Sequence, residues 1–482
     1  MNSSISNQRN YFPSAAITAF FLSLVLILPF FFRLPADPDF CWHLKSGIIH
    51  WEGGKLPQRD IFSYTFPGAS WINHEWLTDW IFGGIFLYFG EPGLFLLRNL
   101  LLILFVLVLS ALYRHNELPF VLIPPFVWLT LTYAARYLIL RPHFFTYLFS
   151  LLLILIFEKA EQKPRLLYFL IPLMLLWVNL HGGFILGMGL ASIYLLDFYR
   201  EKKLSKKQFI FWLTAFFLST FLNPYGIKLH QYLVRELLDD HSMLSEWQPF
   251  FAQRNWPLAL FHYSIFILLP LFACSISRKP TPHPIGFLWI AAAVLTILHR
   301  RFFILLNIFA VLFTATHFGY FWKEKIKTKT FSRICKILTA FLMVSSVLSG
   351  IREYSISKFH IRQDPVLYPK QAIKFLKTAK LGKKLCLPIH WGGYAIFELW
   401  PQYLVSIDGR YITVYPKQFT LDHLKAWKNG DLLSFIGSPK PDVLLIENRG
   451  KLRIAVHENS DWQLIYQDRI ASIFIPKQGA SQ

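Results

Sequence analysis

Two carboxylates two residues apart, Asp37 and Asp39, open the most chemically dense stretch of this chain. They stand in Asp-Pro-Asp-Phe-Cys-Trp-His-Leu-Lys (37–45), and Trp-Ile-Asn-His-Glu-Trp (71–76) follows. A carboxylate within hydrogen-bond reach of a hydroxyl or amide can take its proton or orient its attack. Asp37, Asp39 and Glu75 are therefore candidate catalytic groups, with Trp42, His43, Lys45 and His74 as candidate binding groups around them. Asp37 and Asp39, with His43, His74 and Glu75, also offer hard oxygens and imidazoles that could hold Mg2+ or Mn2+. Pro38 disfavours helix at Asp37. Asp39 is then expected to cap a helix running through Trp51, which leaves Asp37 as the freer carboxylate.

The elements that carry these residues are apolar. Of 482 residues, 54% are hydrophobic and 16% charged, against about 25% charged in soluble domains. From Tyr11 to about Gly350 apolar runs of spanning length recur, with Trp and Tyr near their ends. Eleven spanning helices are expected, at 11–32, 93–113, 119–139, 143–158, 166–181, 183–199, 208–223, 257–275, 285–299, 303–320 and 332–350. The first is read as an uncleaved helix rather than a signal peptide.

Basic clusters set the orientation. Lys159/Lys163/Arg165, Arg200/Lys202/Lys203/Lys206/Lys207 and Lys323/Lys325/Lys327/Lys329 fall in loops of one parity, which places them and the N-terminus in the cytoplasm. Loops 33–92 and 224–256 and the tail 351–482 then lie outside. Trp76–Gly90, short and carrying Asp79, is read as a helix along the membrane surface. The net charge of +21 sits in these loops, so topology accounts for it and no nucleic-acid partner is expected. Cys41 and Cys386 both fall outside and could pair, but two unrelated thiols is the preferred reading.

On this topology Arg98, Arg136, Arg141, His143, His181, His299, Arg300 and Arg301 lie in outer halves or outer ends of helices. Charges there are costly in lipid and face a cavity or headgroups, and the positive-inside bias does not explain them. Arg98, beside Asn99 in a leucine-rich run, is the hardest to read as snorkelling. Arg98, Arg136, Arg141, His181 and Arg301 are candidate phosphate-binding groups. Asn179-Leu-His-Gly-Gly183 is expected to form a tight outer turn with its glycines at positive φ.

The tail alternates short strands and helices. Helices are expected at 368–378 and 421–433, strands at 384–388, 403–407 and 442–446, and a terminal hairpin at 462–466 and 470–475. Trp391-Gly-Gly-Tyr394 is expected as a glycine-rich turn, followed by Ile407-Asp-Gly-Arg-Tyr411.

An aspartate pair just after the first transmembrane helix, in a long external loop with surface helices, resembles the GT-C glycosyltransferases. Protein O-mannosyltransferases, aminoarabinose transferases and oligosaccharyltransferase catalytic subunits belong to that superfamily. Stretches such as DPDFCWHLKSG, DIFSYTFPG, WINHEWL, NLHGG, NPYG, EWQPF and WGGY…IDGRY are similar to those of bacterial membrane proteins placed beside it. The resemblance runs over nearly the whole chain. It implies an α-helical polytopic membrane protein of GT-C type over 1–350, with 33–92 as first external loop, and an extracytoplasmic α/β domain over 351–482. It implies a bacterial inner-membrane enzyme that transfers a hexosyl or pentosyl group from a polyprenyl-phosphate-linked donor to an extracytoplasmic glycan, lipid or protein, Asp-assisted and inverting. Trp391, Tyr394 and Arg410 are substrate-binding candidates by loose similarity to the Trp-Asp-Tyr-Gly region of oligosaccharyltransferases. Gly392 stands where that region has its acid, which puts sequon reading in doubt.

Two other readings stay open. A lipid or glycan translocator would be expected to show internal repeats and midplane acids, and neither is found. A catalytically silent assembly protein of the same fold differs only in activity.

Overall fold

The computed structural model describes residues 12–32, 37–238, 245–277, 283–325, 328–357, 368–437 and 439–477. Tyr11 of the first expected span and Lys327 of the third basic loop lie outside the described residues. The chain forms two compact units: Met1–Leu34 with Phe95–His360, and Pro35–Leu94 with Ile361–Gln482.

The first unit is helical. Each expected span falls on helix: Phe12–Leu26 with Leu28–Phe32, the part of Trp76–His115 beyond Phe95, Ile123–Ala134, His143–Ala160, Leu170–Leu180, Phe184–Arg200, Lys206–Ser219, Trp256–Ser277, His283–Leu298, Phe303–Lys325 and Lys329–Ser357. Among the described residues, Trp76–His115, His143–Ala160, Trp256–Ser277, Arg300–Trp322 and Thr330–Ile356 are long and apolar enough to cross a membrane by length and composition. Phe303–Lys325 is the enclosed centre. It packs against Trp256–Ser277, His283–Leu298 and Ile123–Ala134, and Phe303–Phe313 is buried almost throughout, Asn307 included. In lipid such helices associate by close packing rather than by leaving water. Ile227–Leu238 is a helix inside the expected loop 224–256; it buries Leu229 and Leu233, one turn apart, and exposes Ile227, Val234, Leu237 and Leu238.

The second unit is α/β. Its sheet comprises β1 (Lys384–Cys386), β2 (Leu404–Val405), β3 (Val443–Glu447), β4 (Trp462–Gln467) and β5 (Ala471–Pro476), in the order β2-β1-β3-β5-β4. β1 pairs parallel with β2 and β3, and β5 pairs antiparallel with β3 and β4. The unbroken apolar run Val443–Ile446 gives the central strand, buried on both faces. The hairpin is present as expected. Lys451–Glu458 is a helix the sequence pattern did not signal.

Trp391-Gly-Gly-Tyr394 is a correction. It lies inside a helix, Ile389–Leu399, not in a turn. Its glycines serve close approach: a methyl group at Gly392 would stand 2.3 Å from the Ile407 carbonyl oxygen, and one at Gly393 2.4 Å from that of Pro38. In the same unit helix Phe40–Gly53 crosses the start of Trp76–His115. There a Cβ at Gly47 would meet the Asp79 carbonyl oxygen at 1.8 Å, and one at Gly83 would meet Gly47 at 2.3 Å. The helix from Trp76 breaks its regular path at Gly90 (φ 62, ψ −157). Cys41 and Cys386 are buried and unpaired, and burial pushes both thiols up to about 12.

Candidate functional site

Asp37 is nearly buried. Its Oδ1 accepts the Asp39 backbone N–H at 2.9 Å, and its own carbonyl accepts the Tyr368 hydroxyl at 2.8 Å. A loop acid is thereby fixed from its neighbour and from the tail. Asp39 stands at the N-cap of Phe40–Gly53, but in helical conformation (φ −83, ψ −25), and makes no side-chain capping bond. A capping side chain reaches back to the first turn from an extended backbone, so the expected cap is absent. The relation is reversed: the Asp37 carboxylate holds the Asp39 N–H. The Asp39 carboxylate lies against Gly409, where a methyl group would stand 1.8 Å from its Oδ1 and 3.3 Å from Trp42 Nε1.

Four residues on, His43 Nδ1 lies 2.6 Å from Asp79 Oδ1, and Asn73 Nδ2 donates to Asp79 Oδ2 at 2.7 Å. The glycine crossing at Gly47 and Gly83 makes this approach sterically available. An imidazole held at Nδ1 by a buried carboxylate has a fixed tautomer and a directed Nε2. Here Nε2 faces Glu75 Oε2 at 3.6 Å, and His74 Nε2 lies 3.8 Å from the other Glu75 oxygen. Glu75 thus sits between two imidazoles, with its side chain 12% exposed. Trp42 stacks on His43 with ring centres 3.6 Å apart. Lys45 lies over the Trp400 ring at 5.3 Å, and burial pulls its ammonium below the ordinary lysine value. Asp79 and Asn73 were not singled out from the sequence; Asp79 was seen only as an acid in an apolar segment.

The tail residues divide. Tyr394 packs edge-on to Tyr368 at 4.8 Å, next to the Asp37 carbonyl that Tyr368 holds. Trp391 is fully buried. Arg410 is sealed inside: its Nη2 lies 2.7 Å from Asp60 Oδ1, and Nε and Nη2 donate to Asp408 at 2.8 and 2.7 Å. It stacks between Phe62 and Trp71, 4.9 and 4.7 Å from their ring centres. Burial alone would lower its pKa, but Asp408, Tyr415 and Asp60 raise it well above the usual value. Arg410 therefore fastens the first loop to the tail, and its side chain is 0% exposed.

The cations of the helical unit have their own order. Arg98 is buried; its Nε donates to the Leu138 carbonyl at 3.1 Å and its Nη1 to the Phe30 carbonyl and to Asn99 Oδ1. Phe30 belongs to the last turn of its helix, whose carbonyls lack internal partners. Leu138 belongs to the non-helical link 135–142, which carries Arg136 and Arg141. His143 Nε2 donates to the Tyr137 carbonyl of the same link at 2.8 Å. Arg136 is exposed and bonds Tyr137 Oη at 2.8 Å.

Arg301 stacks on Trp247 at 4.2 Å, and its Nη1 is 3.7 Å from Glu246 Oε1. His299 Nδ1 donates to the Trp247 carbonyl at 2.6 Å and the Arg300 N–H to that of Gln248 at 3.0 Å, which pins the two segments together. Burial would raise Glu246, yet Arg301, Arg141, His143 and Arg300 outweigh it and hold this carboxyl below its usual value. Glu246, present in the sequence as part of EWQPF, is the member of this cluster that sequence reasoning did not nominate. His181 Nδ1 accepts from Gly183 N–H at 3.0 Å and lies 2.7 Å from Thr146 Oγ1, with its ring 6.4 Å from that of His143. The turn at 179–183 is present, but neither glycine adopts positive φ; Gly183 is required for space, since a methyl there would stand 2.2 Å from Thr146 Oγ1.

Among the described residues no three His, Cys, Asp or Glu side chains converge as metal ligands do, so no step below runs through a metal. Neither a family model nor a curated protein sequence matches the chain. Among the solved structures that resemble it are three whose fold runs over nearly the whole of this chain. Archaeal oligosaccharyltransferase AglB from Archaeoglobus fulgidus, in complex with an inhibitory peptide and a dolichol-phosphate, matches with a TM-score of 0.60 at 10% identity, over 91% of this chain and 70% of its own. ArnT from Cupriavidus metallidurans, bound to undecaprenyl phosphate, matches with 0.51 at 11% identity over 99% and 100%. Arabinofuranosyltransferase AftD from Mycobacteria matches with 0.52 at 11% identity over 98% and 42%. At such identities the likeness is one of fold alone, and the fold this chain has is the one these solved structures share.

Proposed function

We propose that the chain is a membrane glycosyltransferase that moves a sugar from a polyprenyl-phosphate carrier to an acceptor outside the cytoplasm. The observation that carries this reading is the packing of Asp37-Pro-Asp39 against both tail motifs through Gly393 and Gly409, in a chain of GT-C fold. A fixed acid pair behind closely fitted backbone suits a site that must orient one nucleophile.

In this reading the acceptor hydroxyl or amide attacks the anomeric carbon as Asp37 or Asp39 takes its proton. The bond from that carbon to the phosphate oxygen breaks, and its electron pair leaves with polyprenyl phosphate. One displacement inverts the anomeric centre. Glu75, between His43 and His74, is a second proton-handling group. Within the helical unit the cations Arg141, Arg300 and Arg301 outnumber Glu246 and can meet the charge developing on the phosphate, while Arg98 positions the link that carries Arg141. The transferred group is a hexose or pentose, and the acceptor a glycan, lipid or protein. The proposed setting is a bacterial inner membrane crossed eleven times, with the tail outside. A divalent metal remains a candidate at Asp37 and Asp39 on donor chemistry alone.

The test is binding of undecaprenyl phosphate to the purified protein in nanodiscs. Arg141→Gln and Arg301→Gln are expected to weaken it at least tenfold each, about 1.4 kcal/mol, with folding unchanged. Saturable binding of equal strength in both variants would contradict the assignment.

A further inference from the structure

Away from the cationic cluster the helical unit holds a cavity of about 220 Å³. Helices His143–Ala160 and Phe184–Arg200 begin at the cationic cluster and end here. Four carboxylates, Glu158, Glu161, Asp197 and Glu201, share its wall with one ammonium, that of Lys203. Acids alone can be surface balance for the basic turns beside them. Two further observations point to a ligand.

The first is Tyr194. It is 4% exposed and lines the cavity, yet its hydroxyl has no hydrogen-bond partner among the described residues. Its ring stacks on Phe157 with centres 5.0 Å apart at 16°. With the rest of the residue buried, this hydroxyl is a polar group that no side chain among the described residues uses and that a ligand entering the cavity can meet. The second is Lys203. Its Nζ lies 2.9 Å from Glu161 Oε1 and 5.2 Å from the centre of the Phe198 ring. The chain's own primary ammonium therefore already shows what this wall accepts: a carboxylate on one side and an aromatic face on the other.

From these we infer that the cavity is a binding site for a primary alkylammonium group. Carboxylates and the Tyr194 hydroxyl accept its N–H bonds, and Phe157, Tyr194 and Phe198 take the positive charge and its methylenes. Metal ions fit less well, since among the described residues no three acids converge. Glu158 is preset for the role: Asn116 Nδ2 donates to it at 3.1 Å, and Asn116 is itself held by Thr316 Oγ1 at 2.8 Å. Lys203 is then a tethered competitor that occupies part of the site. The ammonium can come from an ethanolamine lipid headgroup or from a free diamine, and the site is independent of the transfer reaction proposed above.

The probe is putrescine, titrated into the full-length protein in phosphatidylcholine nanodiscs, with the thermal unfolding midpoint as readout. The midpoint is expected to rise saturably, and the rise to vanish in Glu158→Gln/Asp197→Asn. Lys203→Met, which removes the competitor from an exposed position, is expected to lower the half-saturating concentration roughly three- to tenfold. In nanodiscs containing phosphatidylethanolamine, a higher starting midpoint with no further response to putrescine identifies the lipid headgroup as occupant. An unchanged response there identifies the free amine. No saturable rise in phosphatidylcholine, an equal rise in the carboxylate double variant, or an unchanged half-saturation in Lys203→Met would overturn the site.

Discussion

Gly409 lies so close to Asp39 that a single added methyl group would stand 1.8 Å from the carboxylate Oδ1. No Cβ fits there unless the carboxylate moves. Gly409→Ala should therefore displace Asp39 and lower transfer at least tenfold, with only a modest loss of thermal stability. Gly53→Ala, where nothing stands within 4 Å, is the control. It should leave transfer unchanged and stabilise its helix by up to about 1 kcal/mol. Full activity in Gly409→Ala would show that the position of Asp39 does not matter.

Arg410 is expected to be structural. Removing it leaves Asp60 and Asp408 buried and uncompensated, which typically costs about 3–5 kcal/mol. Arg410→Leu should therefore lower expression and the unfolding midpoint sharply. Arg410→Lys should rescue little, since an ammonium cannot bond two carboxylates in a plane and stack between Phe62 and Trp71. Near wild-type unfolding in Arg410→Leu, with activity lost, would return Arg410 to the substrate contacts.

Most of the helical framework was legible in the sequence, because a span must be apolar along its whole length and the basic turns mark its ends. What was not legible depends on contacts distant in sequence. Asp60 and Arg410 are separated by most of the chain. Asp79 becomes significant only once Gly47 lets His43 approach it. Glu246 lay in a loop with no periodic pattern, and its meaning comes from the arginines that surround it. Trp391-Gly-Gly-Tyr394 was read as a turn because glycine usually signals one; here packing on two faces made the small residue necessary in a helix. Asp39 failed as a cap because its backbone is helical, a detail no spacing rule reveals.

The α/β unit carries a built-in acid sensitivity. His423 is buried, its Nε2 donates to the Leu387 carbonyl at 3.2 Å, and burial pushes its pKa down to about 4 from 6.5. The folded state thus binds fewer protons than the unfolded one between these values. Stability from the neutral ring is fully present above about pH 6.5 and is lost as pH falls toward about 4, up to about 3 kcal/mol in all. Unfolding midpoints of the full-length protein at pH 7 and pH 5 check this. His423→Gln, which can keep the bond to Leu387 without titrating in this window, should flatten the difference. An equal acid-induced drop in the variant would place the sensitivity elsewhere.

The most direct measurement is turnover of a radiolabelled polyprenyl-phosphate sugar panel by the reconstituted protein, comparing wild type with Asp37→Asn and Asp39→Asn. Asn preserves size and removes charge, and loss of a general base typically costs about 10²–10⁴ in rate. The account predicts that wild type transfers at least one sugar and releases polyprenyl phosphate. It predicts that at least one Asn variant loses that turnover by about this factor while it still binds undecaprenyl phosphate. Full turnover in both Asn variants would contradict it.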